Sequence, residues 1–165
     1  MTTPELHVQL TKKTDGCVVL RCTRRDGSVT WQRYDKHSGF YAFHDLRHFA
    51  VETVLGCPSG FYGLLADGWD IADTGGKGAR GKLSPASILV EHMVGLLDRE
   101  LSGGSSPMSA VEFNAQLDQA VGIDPKRLPI SEGQLARVRN RTEELHKQWV
   151  GLPPGSALEL DFTRE

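Results

Sequence analysis

The sequence predicts an α+β fold: a four-stranded antiparallel sheet, built from an N-terminal three-strand meander plus a C-terminal strand, packed with four to five helices. Three observations carry this. Short runs of alternating apolar and polar residues, separated by turns at Asp15-Gly16 and Asp26-Gly27, fill the N-terminal third. Longer segments with apolar residues three and four apart fill the middle. One more alternating run, Leu158, Leu160 and Phe162 among Glu159, Asp161 and Thr163, closes the chain. With 165 residues, a single domain over 1–165 can bury its own core without disulfide or metal staples.

The elements follow in order. Leu6, Val8 and Leu10 alternate through a first strand, and Thr14-Asp15-Gly16 supplies the turn. Cys17 to Thr23 is a second strand, and Ser28 to Tyr34 a third, with Val29 and Trp31 expected to face inward. A first helix is expected from about Phe43 to Leu55, ended by Gly56-Cys57-Pro58. Phe61 to Ala66 reads as a short helix finishing near Gly68, before a glycine-rich loop over Asp73 to Lys82. A long helix runs from Pro85 to about Leu101, with Ser84 placed to cap it. A flexible linker at about 102–108 separates it from a helix opened by the capping-box spacing of Ser109 and Glu112. The last helix, about Glu132 to Val150, carries the inward stripe Leu135, Val138, Thr142, Leu145 and Trp149. The C-terminal strand belongs against the meander, which brings the two chain ends together and favours one domain over two.

Charge and composition narrow the function classes. The formal net charge of −2 argues against a general nucleic-acid partner, which needs a basic excess. No apolar run approaches the ~20 residues of a membrane span, so no membrane partner is expected. The opening Met1-Thr2-Thr3-Pro4-Glu5 lacks a signal-peptide pattern, and the three cysteines form no Cys-x-x-Cys pair. A cytoplasmic location is expected. Cys57, half-buried before Pro58, reads as an inert thiol.

The strongest chemical signal is His44-Asp45-Leu46-Arg47-His48-Phe49-Ala50-Val51-Glu52. On a helix, His44, His48 and Glu52 stack one turn apart, an arrangement able to grip a divalent metal such as zinc or iron. The wheel places this trio on a helix buried nearly all round except near Arg47, where unpartnered polar groups are costly. On the long helix, Leu89, Met93, Leu96 and Leu97 are read as the apolar stripe, His92 at its edge, and Glu91 pointing away. The expected centre is therefore His44, His48 and His92 between two helices, with Glu52 as fourth ligand or orienting group. Asp45 is the candidate catalytic base for a metal-bound water.

The run His44-Asp45-Leu46-Arg47-His48 resembles fragments of three metal-binding families, each over about five residues. It resembles the His-Glu-x-x-His zinc metalloproteases, with Asp45 in place of the glutamate. It is similar to the His-Asp phosphohydrolases through His44-Asp45. It resembles the metal-binding ubiquinone-biosynthesis family through His-Asp-x-x-His, although the glutamate that family places downstream falls at Gly60 here. No function is carried over from these fragments.

Thr74 to Lys82 leads directly into a helix N-terminus, and its Lys77, Arg80 and Lys82 are weak candidates for anion binding. A solvated mobile loop is the simpler reading. Taken together, the residues point to a small cytoplasmic, hydrolase-like metalloprotein acting on a small-molecule substrate. The alternative is a non-catalytic binding or interaction protein whose histidines are structural.

Overall fold

Two Asp-Gly turns fold the N-terminal third onto itself. Gly16 and Gly27 adopt φ of 88° and 85°, and the carboxylates of Asp15 and Asp26 accept the amide protons of Cys17 and Ser28. The computed structural model describes residues 2–103 and 106–164. The turns connect β1 (Leu6–Lys12), β2 (Val18–Arg24) and β3 (Val29–Tyr34), and β4 (Ala157–Phe162) adds to the far side of β1. All three pairings are antiparallel, in the order β3-β2-β1-β4, so the sheet is the one expected from both chain ends.

Register corrects one expectation. Val18, Leu20 and Cys22 are buried and pair with Tyr34, Gln32 and Thr30, so those residues share the inner face. Trp31 therefore points outward and is 63% exposed, while Thr30 is buried. The turn at Asp26-Gly27 fixes this register, and hydrophobicity alone selected the wrong face.

Among the described residues there are five α-helices: α1 (Ser38–Leu55), α2 (Phe61–Ala66), α3 (Pro85–Ser102), α4 (Ala110–Val121) and α5 (Glu132–Gly151), of which α1, α2 and α5 pack on the sheet. α1 starts a turn and a half earlier than Phe43, from His37 at a left-handed φ of 54°. Ser84 caps α3, and complete capping boxes open α4 at Ser109 and α5 at Ser131. Of the linker expected at 102–108, Ser102 belongs to α3, and Gly104 and Ser105 lie outside the described residues.

The core has two parts. Leu6, Leu20 and Phe162 from the sheet pack with Leu46, Phe49, Tyr62, Leu145 and Trp149. Val51, Val90, Val94, Phe113, Leu135 and Val138 form a second cluster among the helices. α1 and α5 contribute to both, and α1 packs against α5 and α3, with His44, Arg47 and His48 meeting carboxylates of α3. Among the described residues no helix is long and apolar enough to cross a membrane.

Candidate metal centre

His44, His48 and Glu52 rise along one face of α1, and Glu91 approaches them from α3. One ligand atom each from His44, His48 and Glu91 lies within 4.8 Å of the others. The Nε2 of His48 is 3.4 Å from Glu91 Oε2. That is the separation of two ligands on a tetrahedral ion with bonds of about 2.0 Å.

Each histidine is held at its other nitrogen by a carboxylate. His48 Nδ1 donates to Glu52 Oε2 at 3.2 Å, and His44 Nδ1 donates to Asp98 Oδ2 at 2.8 Å. Such contacts fix the ring orientation and make Nε2 the nitrogen that would bind a metal. Glu52 is fully buried and is itself anchored, because Oε1 accepts the Gly63 amide proton at 3.2 Å. Gly60 makes this possible. A Cβ there would stand 2.3 Å from the Glu52 carboxyl carbon. Asp98 has a second partner, the buried guanidinium of Arg47, so one carboxylate joins Arg47 to His44.

Electrostatics follow from these contacts. Burial, reinforced by the His48 charge, holds His44 below the ordinary imidazole value. For His48 burial works in the same sense, but hydrogen bonds to Glu52 and Glu91 outweigh it and its pKa is raised. Burial pushes Glu91 up, and the contact with His48 more than reverses this, so it is lowered and stays ionised. Asp45 is buried and accepts the Tyr34 hydroxyl proton at 2.8 Å. Burial pushes its carboxyl up to about 6 against that hydrogen bond.

The cluster opens on a cavity of about 350 Å³, walled by Tyr34, Tyr41, Asp45, Phe61 and Leu83, with Thr74 and Gly75 of the glycine-rich loop at its edge. Tyr41 stacks on Tyr34 with ring centroids 4.9 Å apart. The volume is at the lower end of small-molecule sites.

The residues singled out in the sequence fall as follows. His44 and His48 come together, with Asp45 on the same cavity and Glu52 behind His48 as an orienting carboxylate. His92 is exposed and lines a different hollow, beside Gln116 of α4. Glu91, expected to point away, takes the position expected of His92. The inner stripe of α3 runs through Val90, Met93, Val94 and Leu97 rather than Leu89, which rotates His92 out and Glu91 in. Arg47, expected near solvent, is buried against Asp98. Asp98 was not singled out, although it lies seven residues from Glu91 and so on the same helix face. Lys77, Arg80 and Lys82 are all exposed, and Arg80 donates to the Gly68 carbonyl and lies over the Trp69 ring. Cys57 is pushed up to about 12 by burial, as suits an unreactive thiol.

The chain matches no family model, no curated protein and no solved structure. The site has to be read from its own geometry.

Proposed function

We propose that this protein binds one divalent metal ion, zinc or iron, through His44, His48 and Glu91, and uses it in hydrolase-like chemistry on a small molecule. One observation carries the reading: two imidazoles on successive turns of α1 converge with a carboxylate of α3, each clamped at Nδ1 by a further carboxylate. Two histidines and one glutamate are a known catalytic zinc set, and two histidines with one carboxylate also suit iron(II). Three protein ligands leave a coordination position for water. Asp45, on the same cavity, would serve as the base for a metal-bound water, a role favoured by its raised pKa, which brings it toward neutral pH. The free thiols Cys17, Cys22 and Cys57 fit a reducing, cytoplasmic setting.

The test is elemental analysis of untagged protein purified without chelators, followed by ester, amide and phosphoester hydrolysis assays. The expected result is near-stoichiometric zinc or iron. Asp45→Asn should keep the metal and lose activity by about 10²- to 10⁴-fold. Protein that is empty and takes up no added metal overturns the reading.

A second reading has one observation in its favour. His48 already meets Glu52 at Nδ1 and Glu91 at Nε2, so its hydrogen bonding is complete without an ion. On that reading the cluster is structural and the protein is a non-catalytic binding module.

A further inference from the structure

Where α1, α3 and α5 meet lie two adjoining cavities of about 760 and 480 Å³. They share Phe43, Arg47, Leu101 and His146. Leu97 and Val150 extend the apolar wall, and Phe40, Leu101 and Val150 stand exposed at the mouth. A hollow of this volume with apolar walls is the size of a small-molecule site.

Arg47 gives the hollow its chemistry. Its side chain is 5% exposed, and its one hydrogen bond among the described residues goes to Asp98. A guanidinium carries five N–H donors, so the bond to Asp98 leaves others, and these are not sealed in protein: among the described residues the buried side-chain polar atom without a partner is Thr142 Oγ1, which lines the same hollow. Of the other cations at the hollow, Arg139 is engaged with Glu100 and the Met108 carbonyl and Lys147 with Glu143, while Arg99 stands exposed at the edge of the smaller cavity. Arg47 is thus a largely buried cation with donors to spare in the lining of both cavities.

We infer that this hollow binds a small amphiphilic monocarboxylate, its carboxylate on Arg47 and its hydrocarbon body along Phe43, Leu97 and Val150. The guanidinium can serve this ligand and Asp98 together, because its fork presents separate edges to two carboxylates. The site is distinct from the His44–His48–Glu91 cluster and does not depend on a metal there.

The test is calorimetric titration of the full chain, pretreated with chelator, with decanoate, 1-decanol and decylammonium. Decanoate should bind saturably at one per chain, and decylammonium at least tenfold more weakly. Arg47→Gln removes the anchor and should weaken decanoate by about ten- to a hundredfold. Val150→Trp, at an exposed position, fills the mouth and should weaken all three ligands, which keeps the test decisive if Arg47→Gln fails to fold. The inference is overturned if decanoate does not bind, if decylammonium binds as well, or if neither variant changes affinity. It is also overturned if light scattering shows a dimer that Val150→Trp dissociates, since a second copy would then cover the groove.

Discussion

Glu91 sets the chemistry of the cluster because it is the carboxylate facing the free nitrogen of His48, while its neighbour His92 faces solvent. A substitution pair separates the two. Glu91→Gln keeps the side chain's size but gives up the charge that faces His48, so it should cost some stability and abolish stoichiometric zinc uptake. His92→Ala should bind zinc as the parent does. Elemental analysis after dialysis against zinc reads both, and retention by Glu91→Gln would remove Glu91 from the centre. The protonation states give a further expectation. His44 is lowered and so already neutral, and Glu91 is lowered and so already ionised. His48 is raised and holds a proton at Nε2 that the metal must displace. Binding should therefore release about one proton, and affinity should rise about tenfold per pH unit below the His48 pKa. Calorimetry in buffers of different ionisation enthalpy counts it. Release of none, or of two, would contradict the assignment. Of these residues, His44, Asp45 and His48 were legible from spacing alone. Glu91 and Asp98 were not, for a specific reason. α3 carries apolar side chains at Ile88, Leu89, Val90, Met93, Val94, Leu96 and Leu97, nearly all round its N-terminal half. A wheel cannot orient such a helix, and packing against α1 on one side and α4 on the other decides.

At the level of elements, the candidate centre is a seam between α1 and α3, closed from behind by the start of α2. The run Ser-Gly-Phe-Tyr occurs twice, at 38–41 and at 59–62, and context divides the two copies. Phe61 and Tyr62 are buried, whereas Phe40 is 58% and Tyr41 40% exposed. The extra turn of α1 was hidden because Ser38-Gly39 reads as a break, yet a left-handed His37 starts the helix there. Gly60 has the more exacting position. Its own φ of −77° suits any residue, so the constraint is space beside Glu52 rather than backbone freedom. Gly60→Ala should force the Glu52 carboxylate away from His48, lowering metal affinity by about 10- to 100-fold. It should also cost about 1–3 kcal/mol of stability through overpacking. Chelator competition and urea unfolding measure the two effects, and unchanged metal affinity would show that Glu52 does not orient His48.

Across the whole molecule, α1 and α5 belong to both the sheet-side core and the helical core. The α1–α3 seam, where the histidines lie, holds the helical layer against the rest. The sheet was readable because each strand alternates and both Asp-Gly turns are strong signals, and the five-residue stripe of α5 is buried throughout. What sequence could not supply was rotation: β3 by one residue, α3 by one position. In a sheet a one-residue shift exchanges faces, and in a helix it turns a side chain by about 100°, so small errors relocate functional groups entirely. The central claim is that one ion sits between α1 and α3. The measurement that tests it most directly is an anomalous-scattering map at the zinc edge, from crystals grown with one equivalent of zinc. The account predicts a single strong peak among the Nε2 atoms of His44 and His48 and the carboxylate of Glu91. A peak at His92 or elsewhere, or no peak at this cluster, would contradict it.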